Sequence, residues 1–411
     1  MEGDSGGPAR LLVLGAGPAQ LGLLAAARAR GLFVIAVDRD PAAPGFRFAD
    51  RRAILSAEDE TGIGRLTDAE RVDGLIAPGI DWPVAIAARI AERFGLPHPI
   101  SSDTATLAVS KLRQRERLAE AGVPQPAFAF CPTLEDALAA ARRIGFPCVV
   151  KPPDRQGQKG VGVAEDAASL AVAVAGAVGV SRAGGCLVEE LVEGPELTVN
   201  AISVGGEFVP LTVTDRLTAE PPAFGVALAH VWPSLVEVSG SEPLTPVEVA
   251  RRAADALGIE NGPTYTQIRS GADGPKVVEL AARLGGGHDA ELCEAALGVD
   301  LNGLALSAAL GEPVEPPRPE PRVGGACTRF LVAPSGALAR VDGVEEAREL
   351  DGILDVKLYR ERGYFFVPLR RGADRAGAVL AVGDSRDEAL ERADRAAARL
   401  RFVTADAEAL V

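Results

Sequence analysis

The first part of the chain alternates between short apolar runs and amphipathic segments. Arg10–Leu14 and Phe33–Val37 are apolar, and between them lie a glycine-containing turn and an Ala- and Leu-rich stretch that ends at Arg30. A third run, Gly74–Ala77, precedes a helical pattern over Val84–Phe94. This order of strand, turn, helix and strand predicts a βαβ opening and a doubly wound α/β unit.

Farther along, the pattern predicts one helix and then a series of strands. The helix begins at a capping serine, Ser102, and ends at Gly122. A hairpin turn is predicted at Gly205-Gly206, a proline-rich link covers Pro313–Pro321, and a last helix spans Asp387–Leu400. The predicted strands are Pro147–Lys151, Leu187–Val192, Leu197–Val204, Phe208–Val213 and Val277–Ala281.

The composition is that of a globular protein with several packed units. Apolar residues make up 47% and charged residues 24% of the 411 positions. The 43 basic and 57 acidic residues give a net charge of −14, which argues against a nucleic-acid partner. No apolar run is long enough to span a membrane, and no secretory signal pattern opens the chain. We therefore expect a cytoplasmic protein that binds neither nucleic acid nor membranes.

Residue usage excludes several kinds of chemistry. The five cysteines are widely spaced and never form C-x-x-C, so neither a disulfide framework nor a zinc knuckle is expected. The chain has no H-E-x-x-H and no glycine followed by lysine, which excludes the HExxH zinc site and the Walker A loop. Only five of the basic residues are lysine, and Lys111, Lys151 and Lys159 lie in one segment. This clustering suggests positions that need a compact ammonium.

The glycine turn after the first strand permits two interpretations. Gly15 and Gly17 begin a G-x-G pattern, and Asp38 is placed to meet a ribose, as in a dinucleotide-binding fingerprint. The third glycine is missing, because Gln20 occupies its position. We prefer the interpretation of a tight turn in a scaffold domain.

The segment Lys151–Val161 has the composition of a phosphate-binding loop. Gly157 and Gly160 allow the backbone to fold over phosphate with its N–H groups facing the oxygens. Lys151 and Lys159 supply positive charge. A surface loop would explain the glycines but not the two lysines.

Two later segments place acidic groups at strand ends. In Val188–Val199, carboxylates follow a strand and precede a turn, which suits a nucleotide base and ribose; an exposed acidic turn is the alternative. In Lys276–His288, Glu279 and Arg283 share one face of a strand by its period of two. A carboxylate for Mg²⁺ and a guanidinium for a transferring group suit phosphoryl chemistry, with a structural ion pair as the alternative.

The order and spacing of these elements resemble the ATP-grasp superfamily, in particular its carboxylate–amine ligases that join amino acids into dipeptides. More distantly, the chain resembles purine-synthesis and biotin carboxylase members. The resemblance covers nearly the whole chain and implies an α/β, ATP-grasp fold. Its parts would be a Rossmann-like pre-ATP-grasp domain (1–105), a small lobe with a linker helix (106–186), a large lobe (187–315) and a C-terminal α+β cap (316–411).

By position, the resemblance implies an ATP site. Lys111 corresponds to the lysine that reaches the ATP phosphates, and Lys151 to the strand-end lysine near the adenine and α-phosphate. The other implied contacts are Gly157, Gln158, Lys159 and Gly160 in a closing loop, Glu189, Glu190 and Val192 at the adenine hinge, and Glu196 at the ribose.

The resemblance also implies metal-binding and catalytic roles. Glu279 corresponds to a magnesium ligand, and Arg283 to the residue that stabilises the acyl phosphate and the transition state of amine attack. Gln267 stands where a second acidic ligand is usual, and Ala281 where an asparagine is usual. Because an amide binds Mg²⁺ more weakly than a carboxylate, Glu279 and Gln267 would depend on the substrate phosphates to complete the metal site.

The substrate pocket is implied by fewer features. His230 is placed where amino-acid ligases have a histidine that helps to accept the first amino acid, and a hydrogen-bonded core histidine is the alternative. Gly286 and His288 would line the same pocket, and Arg283 would bind a substrate carboxylate. Asp81 ends a strand from which it could reach the substrate or cap a helix.

We therefore expect an ATP- and Mg²⁺-dependent ligase that joins the carboxylate of one amino acid to the amine of another through an acyl phosphate. Such proteins are commonly dimers and often serve specialised-metabolite biosynthesis. A bicarbonate-using or γ-glutamyl-type ligase is the alternative within the fold. Alternatives of other classes are an NAD(P)-dependent oxidoreductase built on Gly15–Asp38 and a non-catalytic nucleotide-binding protein, which Gln267 and Ala281 would explain.

Overall fold

The computed structural model describes residues 7–155, 158–220, 223, 225–236 and 244–405. The first elements are β1 (Arg10–Leu14), α1 (Leu21–Ala29), β2 (Phe33–Asp38), β3 (Arg51–Ile54), α2 (Glu60–Glu70), β4 (Gly74–Ile76) and α3 (Trp82–Phe94). The strands form a parallel sheet in the order β3-β2-β1-β4. Leu12 and Leu14 pack into one hydrophobic cluster and Leu11 and Val13 into another, so both faces are covered. The predicted doubly wound opening is confirmed.

Two helices follow where the sequence predicts one, so that prediction is wrong. They are α4 (Ser102–Val109) and α5 (Lys111–Glu120). Ser110 between them is extended, and its hydroxyl oxygen accepts a hydrogen bond from a backbone N–H of α5. The cap of α4 is Ser101, one residue before the predicted cap. The break makes Lys111 the first residue of α5.

The next segment forms an antiparallel sheet, the small sheet, that packs against two helices. Its elements are β5 (Phe128–Cys131), α6 (Leu134–Ile144), β6 (Cys148–Lys151), β7 (Gly162–Ala164), α7 (Ala167–Val178) and β8 (Cys186–Glu190). The strand order is β5-β8-β6-β7. Three cysteines, Cys131, Cys148 and Cys186, lie in its core as free thiols. None of the five cysteines forms a disulfide, as the sequence predicts.

The remaining residues supply the strands of one long sheet and of a three-stranded sheet. The elements are β9 (Glu196–Val204), β10 (Glu207–Thr218), β11 (Ala227–Trp232), α8 (Pro246–Leu257), β12 (Gly262–Gly271), β13 (Gly274–Ala281), α9 (Asp289–Leu297), α10 (Leu301–Ala309), β14 (Gly325–Leu331), β15 (Gly336–Asp342), α11 (Val344–Arg348), β16 (Ile353–Leu358), β17 (Phe365–Phe366), β18 (Gly377–Gly383), α12 (Arg386–Arg399) and β19 (Arg401–Ala405). Among the described residues, no helix is long and apolar enough to cross a membrane.

The long sheet, here called the large sheet, is antiparallel in the order β13-β12-β9-β10-β11-β14-β18-β16. Three of its strands come from the predicted C-terminal part and extend the sheet of the predicted large lobe. The other strands of that part form a sheet in the order β17-β15-β19. The domain boundaries drawn from the sequence stay a prediction.

The two faces of the large sheet differ in chemistry. Leu197, Val213 and Leu280 lie on one face and pack in a cluster with α8. Directly paired residues of antiparallel strands project to the same side of the sheet. On the opposite face of the large sheet, these paired residues are largely polar. These positions include Glu196, Thr198, Asn200, Thr214, Arg216, His230, Gln267, Glu279 and Thr328.

Candidate functional site

Lys151 is held at the end of β6 by a buried carboxylate. Its Nζ lies 2.8 Å from Oε2 of Glu189, and Nε of Arg115 lies 2.8 Å from Oε1. Burial opposes ionisation of Glu189, but the two cations outweigh it and lower the pKa of Glu189 to about 2. Burial lowers the pKa of Lys151 to about 8, although Glu189 favours its charged form. Lys151 is therefore a cation close to its titration point.

Arg115 is a residue of this region that sequence reasoning missed. It also donates hydrogen bonds to the carbonyl oxygens of Val277 and Val278, both at 2.7 Å, and so joins α5 to β13. Helical spacing could have shown that Arg115 faces the core, because it stands three residues from both Leu112 and Leu118 and shares their face of the helix.

Lys111 lies against the predicted metal ligand. Its ammonium contacts the carboxylate of Glu279, and its backbone N–H donates to the carbonyl oxygen of Pro153 at 3.0 Å. Burial by itself lowers the pKa of Lys111, but Glu279 and Asp81 outweigh it, so the pKa is raised. Lys111 is therefore charged at neutral pH, and it forms an ion pair with Glu279.

Gln267 lies directly opposite Glu279 in the pairing of β12 with β13, so both side chains project from the same face. In the part of the chain that the structure describes, no three His, Cys, Asp or Glu side chains are grouped to hold a metal. One carboxylate with one amide fits Mg²⁺, which keeps water ligands and takes phosphate oxygens. The pair does not fit a metal site made of protein ligands alone.

The predicted phosphate loop is joined to the segment before β11 by a hydrogen bond of Gln158. Gln158 has a φ of 66°, and its Nε2 donates to the carbonyl oxygen of Gly225 at 2.5 Å. Gly160 has a φ of 71°, and a Cβ there would lie 2.6 Å from a valine methyl, so the position requires glycine. Lys159 is exposed, and Gly157 lies outside the described residues.

The predicted hinge and ribose residues contact cations of the large sheet. Glu190 lies 2.7 Å from the ammonium of a lysine in β13, and Val192 is buried. The carboxylate of Glu196 contacts Arg216 and lies 3.0 Å from Nη2 of Arg269. These two guanidinium groups pair with Glu196 and fix its orientation.

Arg283 follows β13 and is oriented by the N-terminal sheet. Its Nε and Nη2 lie 2.8 and 2.6 Å from Oδ1 of Asp81, and its guanidinium lies 5.4 Å from the ring centroid of Tyr265. Burial opposes the charge, but Asp81 outweighs it and raises the pKa of Arg283. Asp81 accepts no capping hydrogen bond from α3, so its contact with Arg283 replaces the helix-cap interpretation.

The two histidines near the glycine run have different environments. Nδ1 of His230 lies 2.8 Å from Oδ1 of Asp289, whereas its buried Nε2 has no partner among the described residues. Burial lowers the pKa of His230 although Asp289 opposes this, so the ring is neutral at neutral pH. His288 uses both nitrogens, Nδ1 with Glu291 at 3.0 Å and Nε2 with the hydroxyl of Tyr359 at 2.6 Å. Of the two, His230 offers a nitrogen to a ligand.

The glycine run brings the chain close to its neighbours. A Cβ at Gly286 would lie 3.2 Å from the carbonyl oxygen of Gly79, and one at Gly287 would lie 2.5 Å from Cε1 of His230. The N–H of Gly79 donates to the carbonyl oxygen of Leu284 at 3.2 Å. Gly286 therefore lies at the contact between the N-terminal sheet and the region of Arg283 and His230.

Three other polar residues reach this region without any recognised motif. Arg216 contacts Glu196, Asp289 orients His230, and Arg375 stacks on an aromatic ring of β14. The sequence signal for Arg216 was the alternation of polar residues in β10. We find no comparable signal for Arg375.

The glycine turn after β1 is held by hydrogen bonds to the ends of the neighbouring strands β2 and β4. The carboxylate of Asp38 accepts hydrogen bonds from the N–H groups of Ala16 and Asp40, at 2.9 and 3.0 Å. Gln20 is buried, and its Nε2 donates to the carbonyl oxygen of Pro78 at 2.6 Å. These contacts are those of a scaffold turn and leave the dinucleotide interpretation without support.

Comparison with known proteins gives two family models and several relatives. A model described as the L-amino acid ligase C-terminal domain 2 matches residues 329–405, and the ATP-binding domain of the carbamoyl-phosphate synthase L chain matches residues 110–201. A formate-dependent phosphoribosylglycinamide formyltransferase of Burkholderia lata is 31% identical, with 96% of each chain covered. An uncharacterised protein of Sinorhizobium fredii is 32% identical over 74% of this chain. The match covers 63% of that relative's length.

Two solved structures are similar over nearly the whole chain. The L-amino acid ligase from Bacillus licheniformis has a TM-score of 0.81 at 23% identity, covering 97% of this chain and 99% of that one. N5-carboxyaminoimidazole ribonucleotide synthetase from Thermotoga maritima has a TM-score of 0.74 at 22% identity, covering 97% and 100%. At these identities the likeness establishes the fold, which is the one expected from the sequence.

Proposed function

Because the chain belongs to the ATP-grasp family of carboxylate–amine ligases, we propose that it forms an amide bond between two amino acids. The carboxylate of one amino acid attacks the γ-phosphorus of ATP and ADP leaves. The amine of the second then attacks the acyl carbon, inorganic phosphate leaves, and the nitrogen releases a proton. The match of residues 329–405 to an L-amino acid ligase domain supports amino acids as the substrates.

The observation that carries the proposal is the group of charges around the end of β13. Lys111 contacts Glu279, and Arg283 is paired with Asp81, so three separate parts of the chain converge there. Cations and a carboxylate in this arrangement suit the transfer of a phosphoryl group to a carboxylate, because both reactants are anions that must be held together.

Enzymes of this family use ATP and Mg²⁺, and the residues present fit both. Lys111 and Lys151 would face the phosphates, and Glu196 would receive the ribose hydroxyls. Glu279 and Gln267 would hold Mg²⁺, which supplies positive charge to the phosphates when bound. Gln158, Lys159 and Gly160 would cover the phosphates, with Gly157 as the further predicted member of that loop.

Arg283 would stabilise the acyl phosphate. A guanidinium has five N–H groups. Nε donates to Oδ1 of Asp81, Nη1 donates to the carbonyl oxygen of Leu284, and Nη2 lies 2.6 Å from the same oxygen of Asp81. The contact with Asp81 fixes the plane of the group, so its other N–H groups point in a defined direction. Asp81 thus acts as a positioning residue for Arg283.

The test is phosphate release from ATP and Mg²⁺ across single amino acids and pairs, with the products identified by mass spectrometry. We expect release only with particular pairs, together with a dipeptide. Glu279→Gln should lower the rate by at least about 100-fold, because it removes the carboxylate from the metal site. Glu345→Gln, on exposed α11, is the matched control and should keep the rate. Wild-type turnover by Glu279→Gln, or no release with any pair, would contradict the proposal.

A ligase for a phosphorylated amine is the second candidate, supported by the relative from Burkholderia lata, whose name specifies phosphoribosylglycinamide and formate. Phosphate release that requires those two compounds and ignores amino acids would favour it. The bicarbonate-using alternative predicts ADP formation with bicarbonate alone, and a γ-glutamyl ligase would give a γ-linked product.

The alternatives of other classes have distinct outcomes. ATP binding without turnover under any substrate pair would favour a non-catalytic protein. Retention or reduction of a nicotinamide cofactor would favour an oxidoreductase, although the hydrogen bonds of Asp38 with Ala16 and of Gln20 with Pro78 argue against it.

A further inference from the structure

Strand β13, which carries Glu279, contains one extra residue just before that glutamate. Glu279 pairs with Gln267, whereas Val277 pairs with the next residue of β12. Val278 therefore has no partner in β12 and forms a β-bulge. Bulges bend a strand and change the direction of the side chains beside them. The bulge at Val278 thus lies where it decides the direction of Glu279.

The bulge also changes which residues of β13 share a face. In a regular strand, residues three apart lie on opposite faces. Here Val277 and Leu280, three apart, lie in the same hydrophobic cluster. Lys276 and Glu279, also three apart, pair with residues that are two apart in β12, so both lie on the polar face of the large sheet. Without the bulge, only one of these two charged residues could lie on that face.

Side chains of α5 hold the outer edge of β13, where a neighbouring strand would otherwise pair. Among the strands that the structure describes, β12 alone pairs with β13. The amide of Gln114 pairs with Leu280 as a peptide group would, because its Nε2 donates to the carbonyl oxygen at 2.7 Å and its Oε1 accepts from the N–H at 3.2 Å. Nε2 also donates to the carbonyl oxygen of Ala108. Gln114 is only 4% exposed, so water does not compete for these hydrogen bonds.

Arg115 binds the bulge itself. Its Nη1 and Nη2 donate to the carbonyl oxygens of Val277 and Val278, both at 2.7 Å. In a regular strand the carbonyl groups of successive residues point to opposite edges, whereas at the bulge both face α5. The planar guanidinium can hold both, and its pairing with Glu189 fixes the plane.

These contacts come from one face of α5. Lys111, Gln114 and Arg115 occupy positions i, i+3 and i+4, so they project from the same side of the helix. Lys111 contacts the carboxylate of Glu279, while Gln114 and Arg115 bind the backbone after and before it. One helix face therefore holds both the side chain and the backbone of Glu279.

We propose that Gln114 and Arg115 are positioning residues, which hold the bulge at Val278 and so fix the direction of Glu279, the residue that would bind Mg²⁺. The inference rests on the proposed function, because Glu279 is the metal ligand of that proposal. Both residues act through the backbone of β13. Replacing the partners that orient a metal ligand typically costs about 10- to 100-fold in metal affinity, so the effect should be measurable.

Calorimetric titration of the whole protein with a non-hydrolysable ATP analogue, with and without Mg²⁺, tests the inference. The ratio of the two dissociation constants is the Mg²⁺ enhancement of binding. Gln114→Met keeps the length of the side chain and removes the amide. We expect it to lower the Mg²⁺ enhancement at least about tenfold and to change the affinity without Mg²⁺ much less. Amide hydrogen exchange in β13 should become faster, because the N–H of Leu280 loses its acceptor.

Two further variants separate positioning from general effects on folding. Arg115→Lys keeps a positive charge beside Glu189 but loses the planar fork that reaches both carbonyl oxygens of the bulge, so it should also lower the Mg²⁺ enhancement. Thr67→Val is the matched control, because it removes a buried hydrogen bond elsewhere, from Oγ1 to the carbonyl oxygen of Ile63 at 2.9 Å in α2. It should keep the wild-type enhancement. The unfolding temperature of each variant shows whether it is folded.

An unchanged Mg²⁺ enhancement in folded Gln114→Met or Arg115→Lys, or an equal loss in Thr67→Val, would overturn the inference. Glu279→Gln distinguishes this failure from that of the proposed function. If Glu279→Gln loses the enhancement and Gln114→Met retains it, only the inference is overturned. If Glu279→Gln retains it, or the wild type shows none, Glu279 is not the metal ligand, and the inference fails together with that part of the proposed function.

Discussion

At the scale of single residues, two adjacent glutamates show how burial decides the energetic value of an ion pair. Glu189 lies between Arg115 and Lys151 with a side chain only 3% exposed, whereas Glu190 pairs with Lys276 at 31% exposure. Water competes for Glu190 but not for Glu189, so only the loss of Glu189 leaves cations uncompensated.

We expect Glu189→Gln to lower the free energy of unfolding by about 3–5 kcal/mol. Glu190→Gln, its neighbour and control, should lower it by at most about 1 kcal/mol. The pKa of Glu189 is depressed from 4.5 to about 2, so its contribution is complete above pH 4.5 and is lost as the pH falls toward 2. Urea unfolding followed by circular dichroism checks this, and equal losses for the two variants would refute it.

The lowered pKa of Lys151 predicts a pH dependence of ATP binding. Lys151 loses its charge near pH 8, well below an ordinary lysine, so ATP affinity should fall as the pH rises from 7 to 10. Lys151→Arg keeps its charge throughout and should flatten the profile. Calorimetric titration with a non-hydrolysable ATP analogue measures it. A profile that stays equally steep in Lys151→Arg would assign the dependence to another group.

At the scale of elements, the loop after α7 joins the phosphate loop to the N-terminal sheet. The carboxylate of Asp154 accepts hydrogen bonds from the backbone N–H groups of Arg182 and Ala183, both at 2.7 Å. The guanidinium of Arg182 lies 4.6 Å from the ring centroid of Trp82 and contacts Glu58. This one side chain therefore connects the small sheet to the N-terminal sheet.

We expect Arg182→Ala to loosen the small sheet without unfolding the protein. Amide hydrogen exchange should become faster in β6 and β7, and the KM for ATP should rise about three- to tenfold, because the phosphate loop loses its support. Arg142→Ala, an exposed arginine on α6, is the control. Unchanged hydrogen exchange in both strands would show that the contacts of Arg182 do not stabilise the small sheet.

At the scale of the whole molecule, the large sheet crosses the boundary predicted between the large lobe and the C-terminal part. β14 pairs with β11, and the buried residues Ala229, Val231, Cys327 and Ala381 form one cluster. The last part of the chain is therefore needed to complete this sheet.

We expect a chain ending at Pro321 to fail as a folded unit. Its truncation removes β14, β16 and β18 and leaves the edge of β11 and the apolar residues beside it uncovered. Calorimetry should show no cooperative unfolding, and the truncated chain should not bind ATP. A sharp transition with retained ATP binding would show instead that the lobes fold independently.

Local patterns in the sequence determined much of the architecture. Apolar periodicity located β1, β2, α3, β13 and α12, and cysteine spacing predicted free thiols, because these features depend on short-range preferences and on burial. The same logic failed at Ser110, where a helical pattern continues through the position but a serine cap starts a new helix. The motif residues Lys111, Lys151, Glu279 and Arg283 were also recognisable in sequence, although their roles remain a proposal.

Only the tertiary structure decided which side chains meet. Asp81 and Arg283 are 202 residues apart in sequence and form a salt bridge. Arg216, His230 and Thr328 become neighbours only through the register of β10, β11 and β14. Register and strand order follow from packing over the whole chain, since a shift of one residue would turn each of these side chains to the opposite face.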